Sequence, residues 1–152
     1  MPPLNPRFVF FGDKQIKAIK SWVQTDFCKH PQAPGSLREF ISFHCHKDLT
    51  TEDAAGLYWL LYNDAYRFLN LQDEGRRVLL VCYDNLVQNP AKTTQEIATF
   101  LDLEWTRSMA EDVYSGSVGK NKKPDLSPSI DRECQKVWEF IKGSHDHIFP
   151  LE

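Results

Sequence analysis

An α/β architecture, rich in helix around a small parallel sheet, is the expectation set by how the apolar residues are grouped. Val78 to Cys82 is a short continuous apolar run, which suits a strand covered on both faces. Arg7 to Phe11 has the same character and is cut off by Gly12. The segments between them carry helical periodicity, so two parallel strands joined by a right-handed helical crossover account for the order. With 152 residues and 41% hydrophobic content, the chain can bury one real core, and residues 1–152 are expected to form a single domain.

The helices follow from local chemistry. Asp13 is placed to cap a helix whose Ile16, Ile19 and Val23 fall on one side. The prolines and glycine between His30 and Ser36 predict a loop, and Leu37 to Phe43 a short helix. Thr50 to Asn70 predicts a long helix. Its stripe of Ala54, Leu57, Leu61, Ala65 and Phe68 is widened by Tyr58, Trp59, Tyr62, Tyr66 and Leu69, so burial nearly all round is expected, with the aromatics serving as core.

After the apolar run at Val78 to Cys82, Asn89 and Pro90 mark another helix start. The Asn side chain suits the cap, and proline at the first helical position sacrifices no hydrogen bond. Ile97, Phe100 and Leu101 then recur at helical spacing and are expected to face the sheet. Ser115 to Ser127 is polar and rich in Gly, Lys and Pro, which predicts a surface loop, and Ile130 to Ile141 predicts a closing helix.

Charge and cysteine content narrow the class. A net charge of -3 and a pI near 5.9 give no global basic field, so neither nucleic acid nor a membrane surface is an expected partner. No run approaches the roughly 20 apolar residues that span a bilayer, and a cytoplasmic location is expected. Cys28, Cys45, Cys82 and Cys134 are scattered without a CxxC pair, which points to free thiols. The pairs His44/His46 and His145/His147 stand at i, i+2. They converge on a metal only in extended chain, so no metal is expected. Asp13 and Asp84, at the two predicted strand ends, are the alternative carboxylate pair for Mg²⁺, although capping and turn roles explain both.

In parallel sheets ligands bind beyond the carboxyl ends of strands, here Gly12-Asp13 and Tyr83-Asp84. The residues there resemble a known family. Tyr83-Asp84-Asn85-Leu86, Asn89-Pro90 and Phe100-Leu101-Asp102-Leu103 are similar to the Tyr-Glu-Asp-Leu step, polar-Pro turn and Phe-Leu-Gly-Leu helix end of sulfotransferases that use 3'-phosphoadenosine 5'-phosphosulfate, PAPS. The segment from Arg7 to Trp22 resembles the family's strand and helix bearing an Arg and, eight residues on, a Ser that together grip the cofactor 3'-phosphate. Ser21 matches the Ser, and Asp13 stands at the Arg. Tyr114 to Lys122 resembles the Gly-x-x-Gly loop, with Gly116 and Gly119 matching and Lys120 and Lys122 adding charge.

The resemblance implies a helix-rich, partial P-loop-NTPase-like domain corresponding to the C-terminal half of the family's fold. It implies binding of PAPS or 3'-phosphoadenosine 5'-phosphate through Ser21, Tyr83, Gly116, Gly119, Lys120 and Lys122. Three departures bear on that. Asp13 reverses a charge, and an acid about 4 Å from a phosphate is repelled by roughly 4 kcal/mol at an effective dielectric of 20. Tyr114 and Ser115 stand where basic residues are common, and Asn121 replaces an aromatic. No GxxxxGK sequence is present, and the family's phosphosulfate loop and catalytic base have no counterpart. The expected function is thus sulfotransferase-like without catalysis by this stretch alone, partnered by a missing N-terminal half or a second copy. The alternative is a non-catalytic interaction or oligomerisation domain that kept part of the fold.

Overall fold

The computed structural model describes residues 13–45, 48–113 and 124–148. Every regular element among them is helical: α1 (Asp13–Gln24), α2 (Gly35–His44), α3 (Thr51–Phe68), a single 3-10 turn (Leu71–Asp73), α4 (Tyr83–Gln88), α5 (Pro90–Phe100), α6 (Ser108–Glu111) and α7 (Pro128–Ile148). These residues group into two compact units, one holding α1 to α3 and α7 up to residue 144, the other holding α4 to α6.

The expected α/β fold with a parallel sheet is therefore corrected: among the described residues there is no strand. Val78 to Cys82 forms no ladder. Its side chains at 78, 79, 80 and 82 are half-buried, while Val81 is exposed. An apolar run of five states that a segment seeks cover, and only a hydrogen-bonded neighbour makes it a strand. The other expected strand, Arg7 to Phe11, lies outside the described residues.

In the first unit, α3 is the central element. Thr50 caps it, its side chain accepting a hydrogen bond from Asp53 N at 3.0 Å. Ala54, Ala55, Leu57, Leu60 and Leu61 are buried, as the wide apolar stripe requires. Helix α1 packs on α3 and α2 through Ile19 and Trp22. From the other side come Leu126, Ile130, Cys134 and Val137.

Gly56 permits a close approach of α3 to α7: a Cβ there would stand 2.7 Å from Ile130 Cγ2 and 3.2 Å from Leu126 Cδ2. The Asp53 carboxylate then ties the start of α3 to the start of α7. Its Oδ1 accepts from Ser127 N at 2.7 Å and its Oδ2 from Ser127 Oγ at 2.6 Å.

Three described helix ends use left-handed residues without glycine, Asn70 after α3 having φ of 52°. After α1, Asp26 and Phe27 have φ of 44° and 55°, and Phe27 N reaches Trp22 O at 2.7 Å. Burial of the Phe27 ring, 1% exposed, offsets the strain. After α5, Asp102 has φ of 55°, and Leu103 N bonds Ala98 O at 2.9 Å. This is the place of the glycine in Phe-Leu-Gly-Leu, so the substituted residue keeps the glycine's backbone conformation.

The second unit is thinner. Pro90 opens α5 as expected, whereas the Asn89 side chain makes no capping hydrogen bond. Thr93 and Ala98 are the buried positions of α5. Ile97 and Phe100 are half-buried and Leu101 is 55% exposed, so the expected sheet-facing stripe has no sheet beneath it. Trp105 Nε1 donates to Thr94 Oγ1 at 3.0 Å and pins the chain after α5 back onto it.

The contact at Gly56 sets a stability prediction. Gly56→Ala gains about 1 kcal/mol in helix propensity. It forces a methyl against the stiff, buried Ile130, at an overpacking cost of about 1–3 kcal/mol. The variant is expected to be less stable by about 1 kcal/mol, read as a lower urea midpoint with an unchanged slope.

Candidate functional site

Helix α1 positions Ser21. Its buried side is Gln15, Ile19 and Trp22, which leaves Asp13, Lys14, Lys17, Lys20, Ser21 and Gln24 exposed. The backbone around Ser21 is held firmly, because Ser21 O accepts from Thr25 N at 3.0 Å and from Thr25 Oγ1 at 2.8 Å. Lys14, Lys17 and Ser21 are spaced i, i+3, i+7 and so share one face.

Asp13 opens the same helix. Eight helical residues separate its Cα from that of Ser21 by about 12 Å along the axis. Two short side chains that far apart cannot grip one phosphate. Position 13 lies about two turns from Ser21, and Lys17, one turn before Ser21, is a cation on the same exposed face. Sequence reasoning passed over Lys14 and Lys17. Their spacing from Ser21 was the signal that could have found them.

Beside α1 lies an aromatic cluster. Trp22, 6% exposed, stacks on Tyr58 with centroids 5.3 Å apart, and His30 meets it edge-on at 5.0 Å. Tyr62 closes the group, 4.7 Å from Tyr58 and 5.5 Å from His30, and is half-exposed. Most of these α3 aromatics therefore serve as core, with Tyr62 at the rim. A hydrogen bond with Tyr58, then burial, pushes the Tyr62 hydroxyl above its ordinary range. Burial, helped by Lys29, pulls His30 below the usual imidazole value.

In the second unit, Tyr83 begins α4 and is 49% exposed. Asp84 beside it is buried. Gly116, Gly119, Lys120 and Lys122 lie outside the described residues, as does His46. No cluster of three or more His, Cys, Asp or Glu able to hold a metal ion occurs among the described residues. Burial raises both described thiols with a perturbed pKa, Cys45 and Cys134, the latter to about 12 with Asp131 and Glu133 adding to the effect, so neither is a ready thiolate. No described helix is long and apolar enough to cross a membrane.

The sulfotransferase domain family matches this chain over residues 16–142, a span that includes α1 from Ile16 onward with Ser21, the Tyr83 segment and the glycine loop. The chain belongs to the sulfotransferase domain family. Sulfotransferases generally use PAPS as the sulfuryl donor. No curated protein and no solved structure is similar enough to this sulfotransferase-family chain to match it.

The His30 environment gives a pH prediction. Its folded-state pKa is lowered, so the unfolded chain binds the proton more readily. The stability it contributes is complete above the unfolded value of about 6.5 and is lost as pH falls from there through the lowered folded value. Thermal melts between pH 7.5 and 5 are expected to show a fall in Tm that is smaller in His30→Gln. Equal falls in both proteins would assign the pH dependence to other groups.

Proposed function

We propose that these residues form the nucleotide-3'-phosphate side of a sulfotransferase fold, binding PAPS or 3'-phosphoadenosine 5'-phosphate without transferring the sulfuryl group by themselves. The observation that carries this reading is the exposed face of Lys14, Lys17 and Ser21 on α1. Lysines near the positive end of a helix, stacked at i, i+3, repel one another and the macrodipole. A bound phosphate turns that unfavourable arrangement into a favourable one, with the Ser21 hydroxyl as a neutral donor.

In the same reading Tyr83 flanks the adenine. Gly116 and Gly119 let backbone amides approach a phosphate, and Lys120 and Lys122 add point charges. Sulfuryl transfer also needs cations aimed at the moving group and a base on the acceptor hydroxyl. These 152 residues contain no GxxxxGK phosphate loop, which supports binding without transfer by this stretch alone.

The test is a thermal-shift titration with 3'-phosphoadenosine 5'-phosphate. Ligand at 100 times its Kd stabilises a folded protein by about 2.7 kcal/mol, equivalent to a rise of several degrees for a domain of this size. Lys17→Ala, Ser21→Ala and Lys120→Ala are each expected to shrink the shift. A flat titration at millimolar nucleotide defeats the reading.

A second reading, an interaction or self-association domain, is favoured by the second unit, where Val81, Tyr83, Leu101, Leu103 and Met109 are each more than a third exposed. It predicts a concentration-dependent dimer in sedimentation velocity that Leu101→Glu with Leu103→Glu dissolves. A monomer at every concentration removes it.

A further inference from the structure

The C-terminal end of α2 and the first turn of α7 bring together two side chains 85 positions apart in the sequence. His44 Nδ1 lies 2.9 Å from Phe40 O, an atom that only accepts, so this nitrogen carries the proton. Neutral His44 then presents a lone pair on Nε2, which lies 2.8 Å from Ser129 Oγ. The hydroxyl donates and the imidazole accepts. That is the order needed for a general base to take a proton from a serine nucleophile, with a backbone carbonyl orienting the base.

Neighbouring groups fix the pair and leave it reachable. The His44 ring lies between Phe40, with centroids 4.3 Å apart, and Phe43, at 5.1 Å and nearly perpendicular. Rotation of the imidazole away from Ser129 breaks both contacts and the Phe40 hydrogen bond. Ser129 is exposed, and Phe43 is 80% exposed, an apolar surface beside the imidazole. The nearby Asp53 carboxylate does not compete for either partner, because both of its oxygens accept from Ser127.

We propose that Ser129 and His44 form a nucleophile–base pair that accepts small apolar acyl groups from activated esters. Ser129 Oγ attacks the ester carbonyl while its proton passes to His44 Nε2. The bond from the acyl carbon to the leaving oxygen breaks, and that oxygen takes the proton from Nε2. Water then attacks the acyl-serine, its proton moving to Nε2 and on to Ser129 Oγ as the carboxylic acid departs. Within the first turn of α7, Pro128 has no N–H and the Asp131 N–H is bonded to Ser127 O at 3.0 Å, which leaves the Ser129 and Ile130 amides as the backbone donors for the developing oxyanion in this proposal.

The pair is tested with a fluorophosphonate probe, which forms a phosphorus–oxygen bond to an activated serine and expels fluoride. The expected result is a single adduct, mapped to Ser129 by peptide mass spectrometry on the unaltered protein. Its rate should fall about 100-fold or more in His44→Gln, in line with the contribution of a positioned base. Burst release of nitrophenol from p-nitrophenyl acetate should disappear in Ser129→Ala. Melting curves of both variants check that they fold. An adduct spread over other serines, no adduct, or a labelling rate indifferent to His44→Gln overturns the proposal and leaves the contact as a structural hydrogen bond. The mapping on the unaltered protein decides even where a variant fails to fold.

Discussion

The Asp53 carboxylate is the junction on which the first unit depends, because it joins two helices whose cores must meet at van der Waals distance. Its two oxygens take the backbone N–H and the hydroxyl of Ser127, while its own N–H is held by the Thr50 cap. The negative charge thereby sits at the start of α3 and just before the start of α7, where both macrodipoles favour it. Charged hydrogen bonds of this kind contribute about 1.5–3 kcal/mol each when one partner is buried. Fixing Ser127 also fixes the register of α7. Ile130, Cys134 and Val137 then meet the side of α3 made shallow by Gly56, where Cys134 Sγ donates to Gly56 O at 3.7 Å. Ser129, two residues after Ser127, is set against His44 by the same constraint.

The other side of α3 carries α1, and here core and surface chemistry separate cleanly by helical phase. Ile19 and Trp22 go into the core, and Lys14, Lys17 and Ser21 go to solvent. Because the aromatic cluster holds Trp22 by stacking and edge contacts, the exposed face of α1 is presented from a rigid base. Fixed polar groups lose less entropy on binding than groups on a loop. The second unit offers no comparable base. Among its described residues the buried side chains are Asp84, Val87, Thr93 and Ala98, so Tyr83 stands on a short helix over few buried groups.

Local signals carried the helices well and the sheet badly. Thr50, the wide stripe of α3 and Pro90 each act within a few residues, and the structure places a helix where each predicted one. Val78 to Cys82 looked like a strand because apolar runs look alike whether they pair or cover a core, and pairing is a property of the neighbour. The resemblance aligns Asp102 with the glycine of Phe-Leu-Gly-Leu, and its positive φ shows the motif's backbone surviving without that glycine. Ser21 was legible through the family resemblance. Lys14 and Lys17 lay in plain view at i, i+3, i+7 from it, hidden by attention to position 13. The contact of His44 with Ser129 has no local trace at all, since α3 to α6 separate the two residues in sequence.

The meaning of Asp13 changes most once the helix is in place. Its supposed veto on phosphate rested on a separation of about 4 Å, at which repulsion reaches roughly 4 kcal/mol at an effective dielectric of 20. For a charge placed at Ser21, about 12 Å of helix away, repulsion by Asp13 falls to about 1.4 kcal/mol at the same dielectric and to about 0.3 kcal/mol across water, and salt with a Debye length near 8 Å reduces that further. At the first position of α1 the carboxylate is also favourably placed against the helix dipole. Position 13 thus opens the helix, and under the proposed reading an anion at Ser21 draws its positive charge from the face that Lys14 and Lys17 occupy. Reversing position 13 to arginine would leave an anion at Ser21 nearly unaffected, whereas reversing Lys17 to glutamate would put a negative charge one turn from it.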